Sequence, residues 1–248
     1  MGLRSVVEDA GRMTILFWDI DGTLLRTGGA GLIAWEDACR AVTGRAIDWG
    51  SLRTDGLTDH RIAVRILEGA GATADHSAID DMVRRYETRL PVWLPLRQGG
   101  VLGGVRDLLL HLRANRSDVH SMLLTGNTAA GARTKLTYYD LQGFFEDGAF
   151  SEDPGPRSNI AARALAAAHE RFPQVMGDLG RAFVIGDTPH DMECARAIGV
   201  RAIAVASGTY DMSALVARGA WRAFDCLPAP AAFESLIDES VEPASPVF

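Results

Sequence analysis

Two aspartates, Asp19 and Asp21, follow a short apolar run in the segment DIDGT. Successive residues that leave a strand alternate sides, so the two carboxylates can point the same way, about 6–7 Å apart along the chain. Carboxylates this close repel each other, and one pKa would rise unless a cation keeps both groups ionised. Gly22 then allows a tight turn. The motif indicates a cation-binding pair of acids or, taken alone, an acidic turn that caps a strand.

A second polar segment, Thr125-Gly126-Asn127, follows another apolar run and precedes a helical pattern. The Thr125 hydroxyl and the exposed backbone N–H groups form a small nest for an anion, and the positive end of the helix dipole favours negative charge there. Capping of the helix by Thr125 or Asn127 accounts for the same residues. The segment is therefore a candidate phosphate-binding turn, with simple capping as the alternative.

A third segment, GDTPHD, places Asp187 directly after an apolar run and Asp191 four residues later, at the start of a helix. Pro189 suits the first helical turn, where a missing N–H costs nothing. One carboxylate can reach a metal at the sheet edge while the second supports it, as is usual for Mg²⁺. The structural alternative is an N-cap with an acid favoured by the helix dipole.

The four aspartates of the first and third segments are predicted to meet at one edge of a sheet, because open α/β sheets bind ligands at the carboxyl ends of their strands. Four acids gathered there without a cation would destabilise one another, since unpaired buried charge is costly. A divalent ion and a nearby basic side chain remove this difficulty. We therefore expect a Mg²⁺ site.

The elements that position these residues follow from the pattern of apolar runs. Short runs bounded by turn residues are typical of strands buried on both faces, and helical patterns lie between them. This alternation predicts an α/β fold with a doubly wound, mainly parallel sheet. The predicted strands are 14–18, 119–124, 181–185, 201–205 and 221–224, and the predicted helices are 105–114, 128–139, 159–172, 191–198 and 212–217.

Residues 27–99 break the alternation, because only helical patterns occur there. These patterns lie near residues 32–42, 59–68 and 78–92. The glycine-rich flanks GGAG and LRQGG are flexible, as hinges should be. We predict an α/β core formed by residues 1–26 and 100–248, with residues 27–99 inserted as a helical cap domain.

Composition narrows the classes of function. The chain has 248 residues and a net charge of −7, so a nucleic-acid-binding surface is not expected, because binding a polyanion needs clustered basic residues. No stretch approaches the roughly 20 apolar residues of a membrane span, and the first twelve residues do not form a secretory signal. The three cysteines have neither zinc-site spacing nor a disulfide framework. We expect a cytoplasmic protein with a small-molecule ligand.

The motifs resemble those of the haloacid dehalogenase-like (HAD) phosphohydrolase superfamily: DxDGT, a strand-end Thr or Ser, a basic residue and GDxxxD, in this order. The resemblance covers about residues 14–26 and 100–238, and the segment Ile185–Gly208 is especially similar to the phosphoglycolate-phosphatase-like branch. The helical insert lies where caps of this superfamily occur. The resemblance implies a Rossmann-like HAD core, a cap and hydrolysis of phosphate esters.

The resemblance also implies catalytic roles. Asp19 would attack phosphorus and become an aspartyl phosphate, and Asp21 would act first as general acid and then as general base. Thr125 would bind a phosphoryl oxygen, with Gly126 and Asn127 beside it. Phosphoryl transfer needs such positioning and charge neutralisation more than elaborate covalent chemistry.

For the metal, the resemblance implies that Mg²⁺ is bound by the Asp19 carboxylate, the main-chain carbonyl of Asp21 and the Asp187 carboxylate. Asp191 would support the ion directly or through a neighbouring group. A carboxylate-bound Mg²⁺ would neutralise the charge of the phosphate.

The basic residue departs from the superfamily pattern, which usually has a lysine early in a helix. Lys135 is the single lysine of the chain and lies about two helical turns after Thr125, further into the helix than the pattern leads us to expect. Arg157 comes between Thr125 and Asp187, in the superfamily's order. We predict that Arg157 neutralises the phosphate. Lys135 is the reserve candidate, and is otherwise interpreted as a packed or helix-surface lysine.

In the cap, the sequence GLTDHRI places Thr58 or Asp59 at the start of a helix. Capping is the simpler interpretation. The alternative is that this turn leans over the phosphate site and contacts the leaving group.

Together these residues favour a Mg²⁺-dependent phosphomonoester hydrolase that acts on a small phosphorylated metabolite. A phosphomutase of the same superfamily would retain every motif and is the main alternative. A receiver-type signalling module also gathers aspartates, a hydroxyl residue and a lysine, but it is much shorter and lacks the insert. Carbon–halogen chemistry needs neither the second acid of DIDGT nor a metal.

Overall fold

A computed structural model of the chain describes residues 13–173 and 179–239. The outer ends of the predicted core, residues 1–12 and 240–248, lie outside the described residues. The strands are β1 (Thr14–Trp18), β2 (Leu25–Arg26), β3 (Gly100–Val101), β4 (Val119–Leu124), β5 (Gly148–Ala149), β6 (Ala182–Gly186), β7 (Arg201–Val205) and β8 (Arg222–Phe224). The helices are α1 (Ala30–Thr43), α2 (Asp59–Gly69), α3 (His76–Trp93), α4 (Val105–Asn115), α5 (Ala129–Tyr138), α6 (Arg157–Arg171), α7 (Pro189–Ala197), α8 (Met212–Ala217) and α9 (Pro230–Ile237).

Six strands form one parallel sheet in the order β5-β4-β1-β6-β7-β8. Along β1, alternate side chains enter different clusters: Leu16 packs with residues of α4 and α9, whereas Phe17 packs with residues of α6 and α7. Both faces of the sheet are therefore covered by helices, which explains why its strands are continuous apolar runs. The predicted doubly wound α/β fold is confirmed.

The central position of β1 brings the three polar segments together. Trp18, the last residue of β1, lies beside Leu123 of β4 on one side and Ile185 of β6 on the other. Because the three strands are parallel and end at the same level, the residues that follow them emerge at one edge of the sheet. The sequence motifs consequently share a single site.

The cap segment leaves and rejoins the core through a narrow ribbon. Strands β2 and β3 are antiparallel, with Leu25 beside Val101 and Arg26 beside Gly100. The predicted domain boundaries, between residues 26 and 27 and between residues 99 and 100, fall at this ribbon. Helices α1, α2 and α3 lie between the two strands and have their own apolar cluster, in which the rings of Trp35 and Tyr86 stack with centroids 4.0 Å apart.

Several elements differ from the sequence prediction. Helix α6 begins at Arg157 and α7 at Pro189, each two residues earlier than predicted, and β6 is displaced by one residue. The short strands β2, β3 and β5 and the helix α9 were not predicted. In the described part of the chain, no helix is both long and apolar enough to cross a membrane.

Candidate active site

Three aspartates form a compact acidic cluster at the carboxyl edge of the sheet. Asp19 follows β1, Asp187 follows β6, and Asp191 lies in the first turn of α7; one carboxylate oxygen from each lies within 4.8 Å of the others. All three side chains are buried. The prediction that these acids share one site therefore agrees with the geometry, although it is Asp19, Asp187 and Asp191, without the Asp21 carboxylate, that cluster.

Asp187 is held by small residues on two sides and by one hydroxyl. The Thr23 hydroxyl donates a hydrogen bond to Oδ1 of Asp187, with an O···O distance of 3.1 Å. A Cβ atom placed on Gly22 or on Gly208 would lie 2.2 Å or 1.9 Å from Oδ2 of Asp187. Gly22 also has a φ of 81°, which favours glycine. The turn after the DIDGT acids is thus shaped to admit the carboxylate of the GDxxxD motif.

Asp191 uses both of its carboxylate oxygens within the protein. Its Oδ2 accepts hydrogen bonds from the backbone N–H of Thr188, at 2.9 Å, and from the Thr188 hydroxyl, at 2.7 Å. Its Oδ1 pairs with the guanidinium of Arg157 at 2.5 Å. The contacts between Asp191 and Thr188 belong to a capping box at the start of α7. Asp191 therefore contributes both to the cap of α7, whose N-cap residue is Thr188, and to the acidic cluster.

Arg157, the predicted basic residue, lies inside the acidic cluster. Its Nη2 is 3.0 Å from Oδ1 of Asp19 and also contacts Asp191, while Nη1 donates to the backbone carbonyl of Gly56 at 3.0 Å. Burial alone would lower the pKa of Arg157, but the two carboxylates raise it, so the side chain is a permanent cation. Arg157 therefore links the acidic cluster to the cap.

Lys135, the reserve candidate, is also part of the site and does not lie on the helix surface. It is only 4% exposed, and its Nζ lies 2.5 Å from Oδ2 of Asp21 and 2.5 Å from Oδ1 of Asn127. Burial alone would lower its pKa, but the nearby Asp21 carboxylate contributes to raising it. From the sequence, Arg157 and Lys135 were alternative candidates for one role. In the structure both are present in the site, because Arg157 pairs with Asp19 and Lys135 pairs with Asp21.

Thr125 and Asn127 form the floor between these two cations. The Thr125 hydroxyl accepts hydrogen bonds from the backbone N–H of Asn127, at 3.3 Å, and from its side-chain amide, at 2.8 Å. With its acceptor sites occupied in this way, the Thr125 hydroxyl keeps its proton for donation, and its hydrogen bond to Asp19 opposes the rise that burial causes in the pKa of that carboxyl. The N-cap of α5 is Thr128, which accepts from the N–H of Gly131 at 3.0 Å, so the capping alternative for Thr125 and Asn127 is wrong.

The start of α2 brings the cap into contact with this floor. Thr58 caps the helix by accepting from the N–H of Arg61 at 3.2 Å, as the simpler interpretation has it. The next residue, Asp59, crosses to the core: its N–H donates to the Gly126 carbonyl at 2.7 Å, and its Oδ2 accepts from the N–H of Thr128 at 2.8 Å. The turn therefore both caps α2 and leans over the site.

Burial dominates the electrostatics of the site. It raises the pKa of Asp19 to about 6, of Asp187 to about 8 and of Asp59 to about 7. For Asp187 the neighbouring Asp191 and Asp19 raise the pKa further, and for Asp19 the guanidinium of Arg157 opposes the rise. Among the described residues, the three carboxylates of the acidic cluster, Asp19, Asp187 and Asp191, have only the Arg157 guanidinium to balance their negative charge. Their oxygen atoms form a donor set that suits a hard divalent cation such as Mg²⁺.

A cavity of about 490 Å³ opens over these groups between the cap and the core. Its floor includes the two acids of DIDGT, Lys135 and Arg157, and its cap side includes Leu57, Trp35 and Tyr86. The volume falls in the range of sites that bind small molecules. The arrangement can therefore hold a compact anionic ligand against Asp19.

The comparisons with known proteins agree with this architecture. Residues 156–230, which include the GDxxxD motif, match the family model described as HAD-hydrolase-like. The whole fold resembles that of a hydrolase from Pseudomonas syringae, with a TM-score of 0.67 and 22% identity over 92% of this chain and 99% of that one. Over residues 156–230 the chain is therefore similar to HAD-like hydrolases. The superfamily resemblance of the sequence motifs is confirmed.

Two further solved structures share the fold of this chain. A putative phosphatase from Clostridium difficile has a TM-score of 0.65 and 16% identity over 91% of this chain and 99% of that one. A putative beta-phosphoglucomutase from Thermotoga maritima has a TM-score of 0.59 and 19% identity over 92% of this chain and all of the other. No curated protein matches the sequence. At these identities the structural likeness shows the fold alone.

Proposed function

We propose that this protein is a HAD-like, Mg²⁺-dependent phosphomonoester hydrolase that forms an aspartyl-phosphate intermediate. The observation that carries the proposal is the different environment of the two acids of DIDGT. Asp19 is buried and paired with Arg157 at 3.0 Å, whereas the side chain of Asp21 is 44% exposed and paired with Lys135. The pairing with Arg157 fixes the position of the Asp19 carboxylate and favours its ionised form, as a nucleophile needs. The exposed side chain of Asp21 can reach a ligand, as a general acid and base needs.

The Mg²⁺ ion is proposed to be held by the Asp19 carboxylate, the main-chain carbonyl of Asp21 and the Asp187 carboxylate, with Asp191 supporting the site through Arg157. When bound, such an ion neutralises phosphoryl charge and aligns the phosphate with its nucleophile. The raised pKa values of Asp19 and Asp187 support this assignment, because a buried acidic cluster is stabilised in its ionised form by a cation.

In the first step, an oxygen of Asp19 attacks phosphorus and the bond to the ester oxygen breaks. Asp21 gives its proton to the departing alcohol. In the second step, Asp21 takes a proton from water, whose oxygen attacks the same phosphorus and restores the Asp19 carboxylate. Splitting the reaction in this way replaces one difficult step with two easier ones. The Thr125 hydroxyl donates a hydrogen bond to a phosphoryl oxygen, and Arg157 and Lys135 balance the negative charge.

The substrate is proposed to be a small phosphorylated metabolite. The cavity of about 490 Å³ suits a compact ligand, and the Asp59 turn covers the phosphate end. Kinship with the phosphoglycolate-phosphatase-like branch stays a prediction. A cytoplasmic location is part of the proposal and is supported by the free cysteines Cys39, Cys194 and Cys226, because disulfides are rare in that compartment.

A phosphomutase is the second candidate, since the solved structures that share the fold include a putative beta-phosphoglucomutase. A mutase needs the same nucleophile and the same acid, and it must also exclude water from the site while a bisphosphate intermediate reorients. The partly exposed Asp21 favours the hydrolase, because water reaches the group that would activate it.

The test is phosphate release from a panel of phosphometabolites, with Mg²⁺ and with EDTA, using the wild type and Asp19→Asn. We expect Mg²⁺-dependent release by the wild type and a loss of at least about 10³-fold in the variant, because the amide is nearly isosteric but not nucleophilic. Circular dichroism checks that the variant is folded. Retained activity in Asp19→Asn would reject the nucleophile, and isomerisation of a sugar phosphate without phosphate release would establish the mutase.

A further inference from the structure

A second cavity, of about 670 Å³, lies at the junction of the cap and the core. Gly56, Leu57 and Arg157 line both this cavity and the active-site cavity, so they form a wall that the two share. The remaining lining comes from Thr58 and α2 of the cap and, in the core, from residues 154–156, the first turn of α6 and α7. We call this cavity the seam groove.

The seam groove is basic although the chain carries a net charge of −7. Arg61 and Arg65 of the cap and Arg196 of the core line it, and all three are exposed. Among the residues that the structure describes, none of these guanidinium groups has a hydrogen bond or an ion pair. The groove's acid, Glu193, is engaged by His190, with Nδ1 and Oε2 3.2 Å apart. Within residues 13–173 and 179–239, three unpaired guanidinium groups and one carboxylate line the groove, so its lining has an excess of positive charge.

Two further features of the groove favour an anion. Its core side includes Pro156 and Ser158 at the start of α6, a helix of 15 residues, whose dipole places partial positive charge there. The wall residue Arg157 is 8% exposed, and its Nε is buried without a hydrogen-bond partner. A buried N–H group without a partner is costly, so this wall residue keeps one hydrogen-bond donor unused.

We propose that the seam groove binds a small polyanion with two or more carboxylate or phosphate groups, and that this ligand favours closure of the cap. Guanidinium groups are well suited to both kinds of anion. A cavity of this volume fits a small molecule better than a macromolecule. We infer more than one anionic group in the ligand because Arg61, Arg65 and Arg196 offer three guanidinium groups, whereas one carboxylate can be bound by a single guanidinium.

The link to the cap follows from where the cations lie. Arg61 and Arg65 lie on α2 of the cap, whereas Arg196 lies on α7 of the core, so docking of the cap places like charges on the two sides of the seam. An anion between them replaces repulsion by attraction. A cap that moved away from the core would separate Arg61 and Arg65 from Arg196, so we expect the ligand to bind most tightly to the docked arrangement, which is the closed form.

The binding test uses titration calorimetry on the full chain in metal-free buffer, with tricarballylate as a tricarboxylate probe and pyrophosphate as a phosphate probe. We compare the wild type with Arg65→Ala/Arg196→Ala. The matched control is Arg53→Ala/Arg218→Ala, which also removes one exposed arginine from the cap and one from the core, neither of which lines the groove. We expect affinity to fall at least tenfold in the first variant and less than twofold in the control.

Closure is followed by hydrogen exchange at the Asp59 amide, which donates to the Gly126 carbonyl across the seam. Tricarballylate should slow this exchange at least threefold in the wild type and leave it unchanged in Arg65→Ala/Arg196→Ala. Equal binding of both probes to the two proteins would overturn the proposal, because the anions would then occupy the active site. Binding of an oligonucleotide but of neither small probe would also overturn it. Neither readout depends on turnover, so the outcome is separate from that of the proposed hydrolase activity.

Discussion

Replacing Asp187 by asparagine is expected to stabilise the metal-free protein while abolishing its response to Mg²⁺. Burial, followed by the charges of Asp191 and Asp19, raises the pKa of Asp187 to about 8. Asparagine has nearly the same shape and keeps an oxygen that can accept from Thr23, but it carries no titrating group. The substitution therefore separates the cost of the carboxylate to folding from its use as a ligand.

The magnitude follows from the pKa of Asp187 in the folded and unfolded chain. The reference pKa is 3.8, and each pKa unit corresponds to about 1.4 kcal/mol. At pH 7 the folded group remains mostly protonated, so folding is penalised over about 3 pH units, or by up to about 4 kcal/mol. A carboxyl group with a raised pKa contributes stability below pH 3.8 that is lost as the pH rises towards about 8. The advantage of Asp187→Asn should therefore grow between pH 4 and pH 8.

The assay is urea unfolding in EDTA at pH 5, 6, 7 and 8, repeated with Mg²⁺. Mg²⁺ at about 100 times its Kd should add about 2.7 kcal/mol to the free energy of unfolding of the wild type and almost nothing to that of Asp187→Asn. Asp55→Asn, an exposed change in the same cavity, is the control and should follow the wild type. If Asp187→Asn were less stable than the wild type at pH 8 in EDTA, or kept the full Mg²⁺ response, the reasoning would be wrong.

Three further substitutions test separate parts of the site. Arg157→Ala should lower kcat by about 10³-fold, because it leaves buried carboxylates without their cation. Lys135→Ala should lower kcat by only about 10–100-fold and shift the acidic limb of the pH–rate profile. The opposite ranking of the two variants would transfer the main role to the lysine. Gly208→Ala should reduce activity at least tenfold, because the new Cβ would lie 1.9 Å from a carboxylate oxygen of the acidic cluster, and Gly143→Ala, which meets nothing within 4 Å, is the control in the same phosphate-release assay. Asp59→Asn should gain stability over the wild type as the pH rises from 4 to 7, because burial raises the pKa of Asp59 to about 7; chemical unfolding across this pH range measures the gain, and a pH-independent difference would contradict it.

The sequence predicts the acids of the site well because parallel strands impose their arrangement. Once β1 is recognised as a buried strand beside two others, Asp19 and Asp187 must emerge at the same sheet edge. The position of Arg157 at the start of a helix could also be predicted from its order along the chain. What the pattern could not supply is how the charges divide between Asp19 and Asp21.

Lys135 shows why that division escaped prediction. Counting residues places it two turns into α5, but the side chains of a helix tilt towards its N-terminus, and a lysine stem is long enough to bring Nζ back to Asp21 and Asn127. The contact of Asp59 with the core depends on how the cap is docked, which local sequence does not encode. The sequence did offer one signal for Lys135: the small alanine and glycine residues of α5 favour a closely packed helix, in which a lysine would be buried.

The missed elements have equally physical causes. Strands β2, β3 and β5 have two residues each, too few to produce a periodic pattern, and they exist because neighbouring segments offer hydrogen bonds. Helix α9 has eight residues and begins at Pro230. It is fixed by the burial of Phe233 against Trp18, whose rings stack 6.1 Å apart, which is a contact between distant parts of the sequence.

The ribbon of β2 and β3 has an evolutionary consequence. Both chain crossings of the cap lie side by side, and β2 begins only four residues after Asp21. A different insert can therefore be attached at this point without rethreading any strand of the sheet. The residues of the proposed phosphatase site can therefore be inherited unchanged while the cap over them is exchanged, which would give access to new substrates with the same chemistry.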